Sequence, residues 1–203
     1  MKNKYRIIGR RGAGSMIAEF LFTEIGAPYD ISFLQSGKEK IDDITSSHPL
    51  GRIPILICPT GKFIFETLAI INHITNRYEC FTPPKNTKSH DTYWQILSLL
   101  ATTVYPAYHR QHHSKYYTVE SGYDDLRDFA RSEQAVIYDY IETLLNPYIC
   151  GELITAADFY LYMLSRWDVD KTALRKGRPK LTTFLEQIRS RPSVIKVLNN
   201  QKK

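Results

Sequence analysis

A glycine-rich turn near the start of the chain is the first segment whose residues could do chemistry. It reads Gly9-x-x-Gly12-x-Gly14-Ser15 and lies between the apolar run Tyr5–Gly9 and a stretch with helical spacing. Corners of this kind can bind phosphates, because the amides at a helix N-terminus point at the ligand. However, the spacing is not that of dinucleotide-binding folds, and no lysine follows Gly14 as it would in a P-loop. The pattern therefore argues against a phosphate site and favours another ligand.

A second polar pair, Glu66-Thr67, lies where a strand-like run changes to helical spacing. A helix N-terminus presents free N–H groups and a partial positive charge, so it suits a carboxylate ligand. The Thr67 hydroxyl could add a hydrogen bond to such a ligand. The same pair also fits a plain helix cap with an acidic neighbour. The residues alone leave both interpretations open.

Two further patterns are structural rather than catalytic. Thr155-x-x-Asp158 matches a capping box, in which two side chains satisfy the free amides at the start of a helix. His109, His112 and His113 are spaced to share one helix face, but no carboxylate or cysteine completes a ligand set locally. We therefore expect no metal site.

Apolar spacing places the first two patterns, the glycine-rich turn and Glu66-Thr67, on alternating strands and helices. The expected order is β-α-β-α-β-β-α, with a parallel βαβ unit followed by an antiparallel hairpin around the PTG turn at 59–61. The expected strands cover 5–9, 29–34, 55–58 and 63–65, and the expected helices cover 15–25, 38–47 and 67–78.

Only helical spacing follows the proline-rich stretch TPPKNTKS. We therefore expect an α/β domain over 1–80, a linker over 81–88 and an all-helical domain over 89–203. The expected helices in the last of these cover 90–105, 126–145, 155–167, 182–190 and 193–198. In the second helix, Phe129, Ile137 and Ile141 are expected to point inward.

Composition narrows the class of protein. The chain of 203 residues has a formal net charge of +6, which favours solubility more than nucleic-acid binding. Its three cysteines form no C-x-x-C pair, which argues against a disulfide framework and indicates a reducing compartment. No apolar stretch approaches the roughly 20 residues of a membrane span. We expect a cytoplasmic protein without membrane or nucleic-acid partners.

Three segments carry a resemblance to a known family. They are PLGRIPIL (Pro49–Leu56), FETLAIINHI (Phe65–Ile74) and GELITAADFYLY (Gly151–Tyr162). In order and spacing they resemble conserved segments of the glutathione S-transferase family, bacterial type, nearest to its beta-like and serine-type members. The resemblance implies a thioredoxin-like domain followed by an all-helical domain. It also implies a homodimer that uses glutathione as co-substrate without another cofactor.

The resemblance also assigns binding residues. The proline that corresponds to Pro54 is cis in thioredoxin-like domains, and the backbone of the preceding residue, Ile53, should bind the cysteinyl unit of glutathione. Thr67 should hold the γ-glutamyl carboxylate, and Glu66 should accept a hydrogen bond from its α-amine.

The resemblance does not assign the residue that activates the sulfur. The position of the family's tyrosine falls on Ile8, and that of its cysteine falls on Gly14, so neither donor is present. Ser15 follows directly, and we predict it as the catalytic hydroxyl. A second-substrate pocket for a small hydrophobic electrophile is predicted from Arg11, Tyr105, Tyr108 and Trp167.

Two other functions fit the same resemblance. A non-catalytic partner protein, similar to the stringent starvation protein, fits the missing donor and the basic charge, although the retained Glu66-Thr67 argues against it. A glutathione-dependent peroxidase or disulfide reductase would use the same thiolate on a different acceptor.

Overall fold

The computed structural model describes residues 4–34 and 48–202, so the helix expected at 38–47 lies outside the described residues. The chain divides into two compact units. The first unit contains Met1–Cys80 and Arg189–Lys203, and the second contains Phe81–Ile188. The sequence predicted one helical domain over 89–203, whereas its last residues group with the first unit.

Among the described residues, the first unit contains a four-stranded sheet with the order β2-β1-β3-β4. Its strands are β1 (Tyr5–Gly9), β2 (Tyr29–Phe33), β3 (Ile55–Ile57) and β4 (Phe63–Phe65). β1 and β2 are parallel, while β3 is antiparallel to both β1 and β4. Parallel neighbours need a crossover connection, and α1 (Met16–Ile25) supplies it. This arrangement confirms the expected thioredoxin-like domain.

The described residues of the first unit also form two more helices, α2 (Thr67–Tyr78) and the C-terminal α9 (Pro192–Asn200). Both pack against α1. Arg191 Nε donates a hydrogen bond to Glu24 Oε1 at 3.1 Å, and the Ser193 hydroxyl donates to the same carboxylate. These contacts tie the start of α9 to the end of α1. The domain prediction missed them because the partners lie 167 and 169 residues apart.

The second unit is helical, as expected. Its helices are α3 (Lys88–Leu99), α4 (Tyr105–His112), α5 (Tyr123–Leu144), α6 (Ala156–Ser165), the short α7 (Lys171–Arg175) and α8 (Pro179–Ser190). A π-helical stretch, Leu100–Val104, joins α3 to α4 just before Pro106. Proline lacks an N–H and clashes with the preceding turn, so this local widening lets the helix continue.

α6 lies in the core of the second unit, and every one of its residues is buried. α5 differs from the prediction at one position: Ile137 and Ile141 face inward, but Phe129 is 64% exposed. The buried face continues instead through Gln134 and Ala130. These two residues follow the spacing of three and four from Ile137, whereas Phe129 does not.

The expectations about membrane spans and cysteines can be compared with the described residues. No helix within residues 4–34 and 48–202 is long and apolar enough to cross a bilayer. All three cysteines, Cys58, Cys80 and Cys150, are free thiols.

Candidate functional site

Three loop segments meet at one end of the sheet. Ile8 pairs with Ile55, and Ile55 pairs in turn with Phe65. Because β3 is antiparallel to both neighbours, the end of β1, the start of β3 and the end of β4 lie side by side. The glycine-rich turn, Ile53-Pro54 and Glu66-Thr67 therefore come together. We call these three segments the strand-end site.

Ile53-Pro54 enters the sheet at this site. The peptide bond between the two residues is cis, and Pro54 is buried. Ile53 is partly exposed and precedes Ile55, the first paired residue of β3. Its backbone therefore lies beyond the β-ladder, in a position where an extended peptide ligand can pair with it.

Glu66 turns the chain from β4 into α2. Its φ of 66° and ψ of 125° are rare for a residue other than glycine, and such conformations cost about 1–3 kcal/mol and cluster at ligand sites. The Glu66 side chain is 70% exposed, whereas Thr67, the first residue of α2, is only 8% exposed. The pair thus combines an accessible carboxylate with a helix N-terminus, which suits a ligand that carries both an amine and a carboxylate.

His48 also belongs to the strand-end site, although sequence reasoning missed it. Its buried ring packs edge-on against Phe65, with the ring centroids 4.7 Å apart. Nδ1 accepts a hydrogen bond from the Leu50 amide at 3.0 Å, so a neutral imidazole carries its hydrogen on Nε2. Nε2 lies 3.3 Å from Glu66 Oε1 and donates to it. His48 thereby orients the Glu66 carboxylate from 18 positions away, a separation at which no local sequence pattern connects two residues.

The glycine-rich turn directs Ser15 inward. Ser15 is 1% exposed, and its hydroxyl donates to the Arg10 carbonyl at 3.3 Å. A Cβ atom on Gly9 would overlap the Ser15 side chain, so Ser15 fills the space that the glycine leaves against β1. We predicted Ser15 as the hydroxyl that contacts the sulfur. The structure turns this hydroxyl toward the protein interior instead, because Gly9 opens a slot for it there.

Arg11 lies at the exposed tip of the same turn. Its guanidinium carbon is 4.2 Å from the centroid of the Phe33 ring, and its Nη1 donates to the Asn200 carbonyl at 2.6 Å. The neighbouring Gly12 has a φ of 68°, a left-handed conformation that favours glycine. Arg11, predicted to line a second-substrate pocket, is thus held by two contacts within the first unit.

The other three predicted pocket residues cluster in the second unit. Trp167 packs edge-on against Tyr105 and Tyr108, with ring centroids 4.9 Å and 6.1 Å apart. Tyr105 and Trp167 are partly exposed, but Tyr108 is only 1% exposed. The Tyr108 hydroxyl donates to Asp168 at 2.9 Å and lies 3.0 Å from the Tyr138 hydroxyl. Tyr108 is therefore a core residue rather than the wall of an open pocket.

Two of the three histidines considered for a metal site, His109 and His112, have hydrogen-bond partners within the chain. His109 Nδ1 lies 2.7 Å from the Tyr117 hydroxyl, and His112 Nε2 lies 2.9 Å from the Trp167 carbonyl. In the part of the chain that the structure describes, no group of three histidine, cysteine or acidic residues could hold a metal ion.

Known proteins are similar to this chain in sequence and in fold. The family model of the glutathione S-transferase N-terminal domain matches residues 7–76, and that of the C-terminal domain matches residues 108–201. The uncharacterised GST-like protein YncG of Escherichia coli K12 is 21% identical over 198 residues, which cover 95% of this chain and 96% of YncG. Glutathione S-transferase GstA of Escherichia coli O157:H7 is 20% identical over 196 residues, which cover 93% and 94% of the two chains.

A solved structure has a similar fold across both units. It is a glutathione transferase homologue from Sulfitobacter with bound glutathione, and it aligns with a TM-score of 0.84 at 22% identity. The alignment covers 97% of this chain and 98% of the homologue. With both family models matched in order along the sequence, the chain belongs to the glutathione S-transferase family.

Proposed function

We propose that the protein binds glutathione at the strand-end site and activates its thiol for attack on a small apolar electrophile. One observation carries the proposal: the sheet register brings the glycine-rich turn, Ile53-Pro54 and Glu66-Thr67 to the same strand end. The Sulfitobacter homologue of similar fold, solved with glutathione bound, supports it.

The γ-glutamyl end of glutathione fits the Glu66-Thr67 corner. Its α-carboxylate would accept hydrogen bonds from the first amides of α2 and from the Thr67 hydroxyl, where the helix dipole favours negative charge. Its α-ammonium would pair with the exposed Glu66 carboxylate, which His48 already holds at 3.3 Å. A charge-assisted hydrogen bond of this kind contributes about 1.5–3 kcal/mol.

The cysteinyl unit fits the backbone of Ile53. In this pose, the amide and carbonyl of the cysteinyl residue would extend the β-ladder of β3 by one residue. The thiol would then point toward the end of β1, where the glycine-rich turn leads into α1. Because the turn is rich in glycine, few side chains crowd the space a sulfur atom would occupy.

Thiol activation would rely on the start of α1 rather than on the buried Ser15 hydroxyl. A thiolate at a helix N-terminus is stabilised by the dipole and by backbone amides. Lowering a thiol pKa by one unit requires only about 1.4 kcal/mol of preferential interaction with the thiolate. The thiolate sulfur would then form a bond to carbon in the electrophile while the leaving group departs with the bonding electrons, and the thiol proton passes to solvent.

A second function is glutathione binding without conjugation. The inward orientation of Ser15 favours it, because the only side-chain hydroxyl of the glycine-rich turn donates to Arg10 at 3.3 Å and is 1% exposed. The two functions share the binding site and differ only in whether the bound thiol ionises.

The test is calorimetric titration with glutathione, followed by conjugation of a chlorodinitrobenzene. Thr67→Ala is expected to weaken glutathione binding about tenfold or more, since it removes a hydrogen bond to a charged group. Thr60→Ala is the matched control, because Thr60 is exposed in the hairpin turn at the opposite end of the sheet. Absence of glutathione binding by the wild type would overturn the proposal.

Ser15→Ala separates the possible sulfur donors. If backbone amides activate the thiol, we expect this variant to retain conjugation within about threefold, since no hydroxyl contact to sulfur is lost. A loss of about a hundredfold with unchanged glutathione affinity would restore Ser15 as the catalytic hydroxyl. Binding without conjugation in the wild type would support the second function.

The proposal includes a homodimer. Strand β4 lies at the edge of the sheet, where unpaired backbone groups favour association. A shallow groove beside it is lined by Phe63, Phe65 and Ala69, among others, and Phe63 is 41% exposed. Light scattering on the purified protein tests this part, since the chain mass is 23.6 kDa and a dimer would double it.

A further inference from the structure

Residues near the C-terminus of the first unit form hydrogen bonds with the glycine-rich turn. The amide of Gly12 donates to Gln201 Oε1 at 2.9 Å, and Arg11 donates to the Asn200 carbonyl at 2.6 Å. These contacts join positions 189 residues apart in the sequence. The turn is therefore held from the far end of the chain as well as by its own local hydrogen bonds.

The Gln201 side chain is held in turn by Glu19. Gln201 Nε2 lies 2.9 Å from Glu19 Oε1 and 3.0 Å from Glu19 Oε2. The two ends of the Gln201 amide cannot be exchanged, because the Gly12 N–H is a donor and needs the oxygen. The Gln201 NH2 group must then face Glu19. The Gln201 side-chain amide thus connects the glycine-rich turn to α1, the helix that follows the turn.

Glu19 lies in the core, where it makes this contact. It is 0% exposed, on the first turn of α1, four positions after Ser15. Burial raises the pKa of the Glu19 carboxyl to about 8, against the smaller opposing effects of Gln201 and Arg11. At neutral pH the group is therefore mostly a neutral acid that accepts the Gln201 hydrogen bond without a buried charge. Glu19 has no role in the proposed binding or chemistry. Its hydrogen-bond partner is Gln201, which also holds Gly12.

We propose that Gln201, oriented by Glu19, is a positioning residue that fixes the glycine-rich turn at the start of α1 for the glutathione sulfur. This inference rests on the proposed function, because it assigns the sulfur to this corner. Gln201 does not touch the sulfur. It acts through Gly12, since a turn whose amides are held in place loses less conformational freedom when it binds a ligand.

The first test is amide hydrogen exchange of the turn in the full-length protein without glutathione. Gln201→Ala is expected to speed exchange of the Gly12 amide about tenfold, because its hydrogen-bond acceptor is gone. Asn199→Ala is the matched control, since Asn199 is exposed on the last turn of α9. We expect no change in the control. Equal Gly12 exchange in wild type and Gln201→Ala would overturn the inference.

Two variants of Glu19 test whether it acts through Gln201. Glu19→Gln keeps an acceptor for the Gln201 NH2 group and is expected to leave Gly12 exchange within about twofold of the wild type. Glu19→Ala removes the acceptor and should speed exchange. In the Gln201→Ala background, Glu19→Ala should add nothing further, because residues that act in series are not additive. Additive effects would show that Glu19 supports the turn by another route.

Glutathione kinetics then separate positioning from a purely structural role. If Gln201 positions the turn, Gln201→Ala should lower kcat about tenfold, and it should change the KM for glutathione less, because the γ-glutamyl contacts remain. Unchanged kinetics with faster Gly12 exchange would overturn the positioning role. If the wild type binds no glutathione, the proposed function fails. The exchange experiment still decides whether Gln201 holds the turn.

Discussion

Among the described residues, each unit buries one carboxyl completely, and the two carboxyls differ in what surrounds them. Asp158, at the start of α6, accepts hydrogen bonds from the Ile149 amide at 2.9 Å and from the amide and hydroxyl of Thr155, each at 2.7 Å. Glu19, on α1, accepts only from the Gln201 side chain among the described residues. Both are 0% exposed.

The number of donors decides the charge that each carboxyl carries. Burial raises the pKa of Asp158 from 3.8 to about 6. Hydrogen bonds from Ile149, from Thr155 and from the Asp158 amide favour the ionised form and limit the shift. Burial raises the pKa of Glu19 from 4.5 to about 8, and only one hydrogen-bond donor, the Gln201 amide, opposes it together with the charge of Arg11. At neutral pH, Asp158 is mostly an anion that caps a helix, and Glu19 is mostly a neutral acid. Similar side chains in similar burial thus perform different tasks.

The largest expected effect comes from removing Asp158, the carboxyl with more hydrogen-bond donors. Asp158→Ala leaves the amides of Ile149 and Thr155 buried without a partner, at about 1–3 kcal/mol each. We expect the free energy of unfolding in urea to fall by about 3–5 kcal/mol.

Asp170→Ala is the control for this variant. Asp170 is an exposed cap whose Oδ1 accepts from the Thr172 and Ala173 amides at 3.0 and 2.9 Å. Its loss should cost only about 1 kcal/mol, because water can reach the freed amides. Similar losses for the two variants would show that burial does not increase the importance of the Asp158 hydrogen bonds.

Sequence patterns predict Asp158 but not Glu19, and the reason is distance along the chain. Asp158 lies three positions from Thr155, so a local motif reveals the contact between them. Gln201 is 182 positions from Glu19, and the sequence around Glu19 shows only a glutamate in an apolar helix. Local patterns likewise predicted the strands and most helices, because apolar periodicity is a local signal.

The candidate site divides in the same way. Ile53-Pro54 and Glu66-Thr67 were predicted because each lies in a short segment that resembles the family. The inward orientation of Ser15 depends on Gly9 lying beneath it, and the orientation of Glu66 depends on His48. Packing between segments that are separate in the sequence decides the orientations of Ser15 and Glu66, so a single local motif cannot predict them.

A smaller effect tests the charge state of Glu19. Its carboxyl has a higher pKa in the folded chain than in the unfolded chain, so the folded state binds more protons and loses stability as the pH rises from about 4.5 toward about 8. The loss approaches about 1.4 kcal/mol for each pH unit in this window. Glu19→Gln does not titrate, so its stability should change less. We expect the two proteins to diverge by about 2 kcal/mol between pH 6.5 and pH 8.5.

The pH range separates Glu19 from its neighbours. Asp158 titrates near pH 6, below the range measured. Tyr29 interacts electrostatically with Glu19, and burial raises the pKa of its hydroxyl above the ordinary value of 10.0. Glu186→Gln is the control, since that side chain is 63% exposed. Parallel stability curves for wild type and Glu19→Gln would show that Glu19 is already ionised at pH 6.5.

The smallest effect concerns Glu24, a third carboxyl that shows the opposite sign. Burial raises its pKa, but hydrogen bonds from Arg191 and Ser193 outweigh burial and hold the pKa below the ordinary 4.5. The stabilisation is therefore complete above the unfolded pKa and is lost as the pH falls through the folded pKa. Arg191→Ala should cost about 1–2 kcal/mol at pH 7, because the charged partner on α9 is gone.

As the pH falls from 7 to 3, protonation of Glu24 removes its charge interaction with Arg191, so the difference between wild type and Arg191→Ala should shrink. Lys196→Ala, an exposed change on the same helix, should show no such pH dependence. Urea unfolding at the two pH values measures both. A constant difference would mean that Arg191 stabilises α9 through the packing of its side chain rather than through its charge. Glu19 and Glu24, both on α1, would then differ in donors without differing in the sign of their pH response.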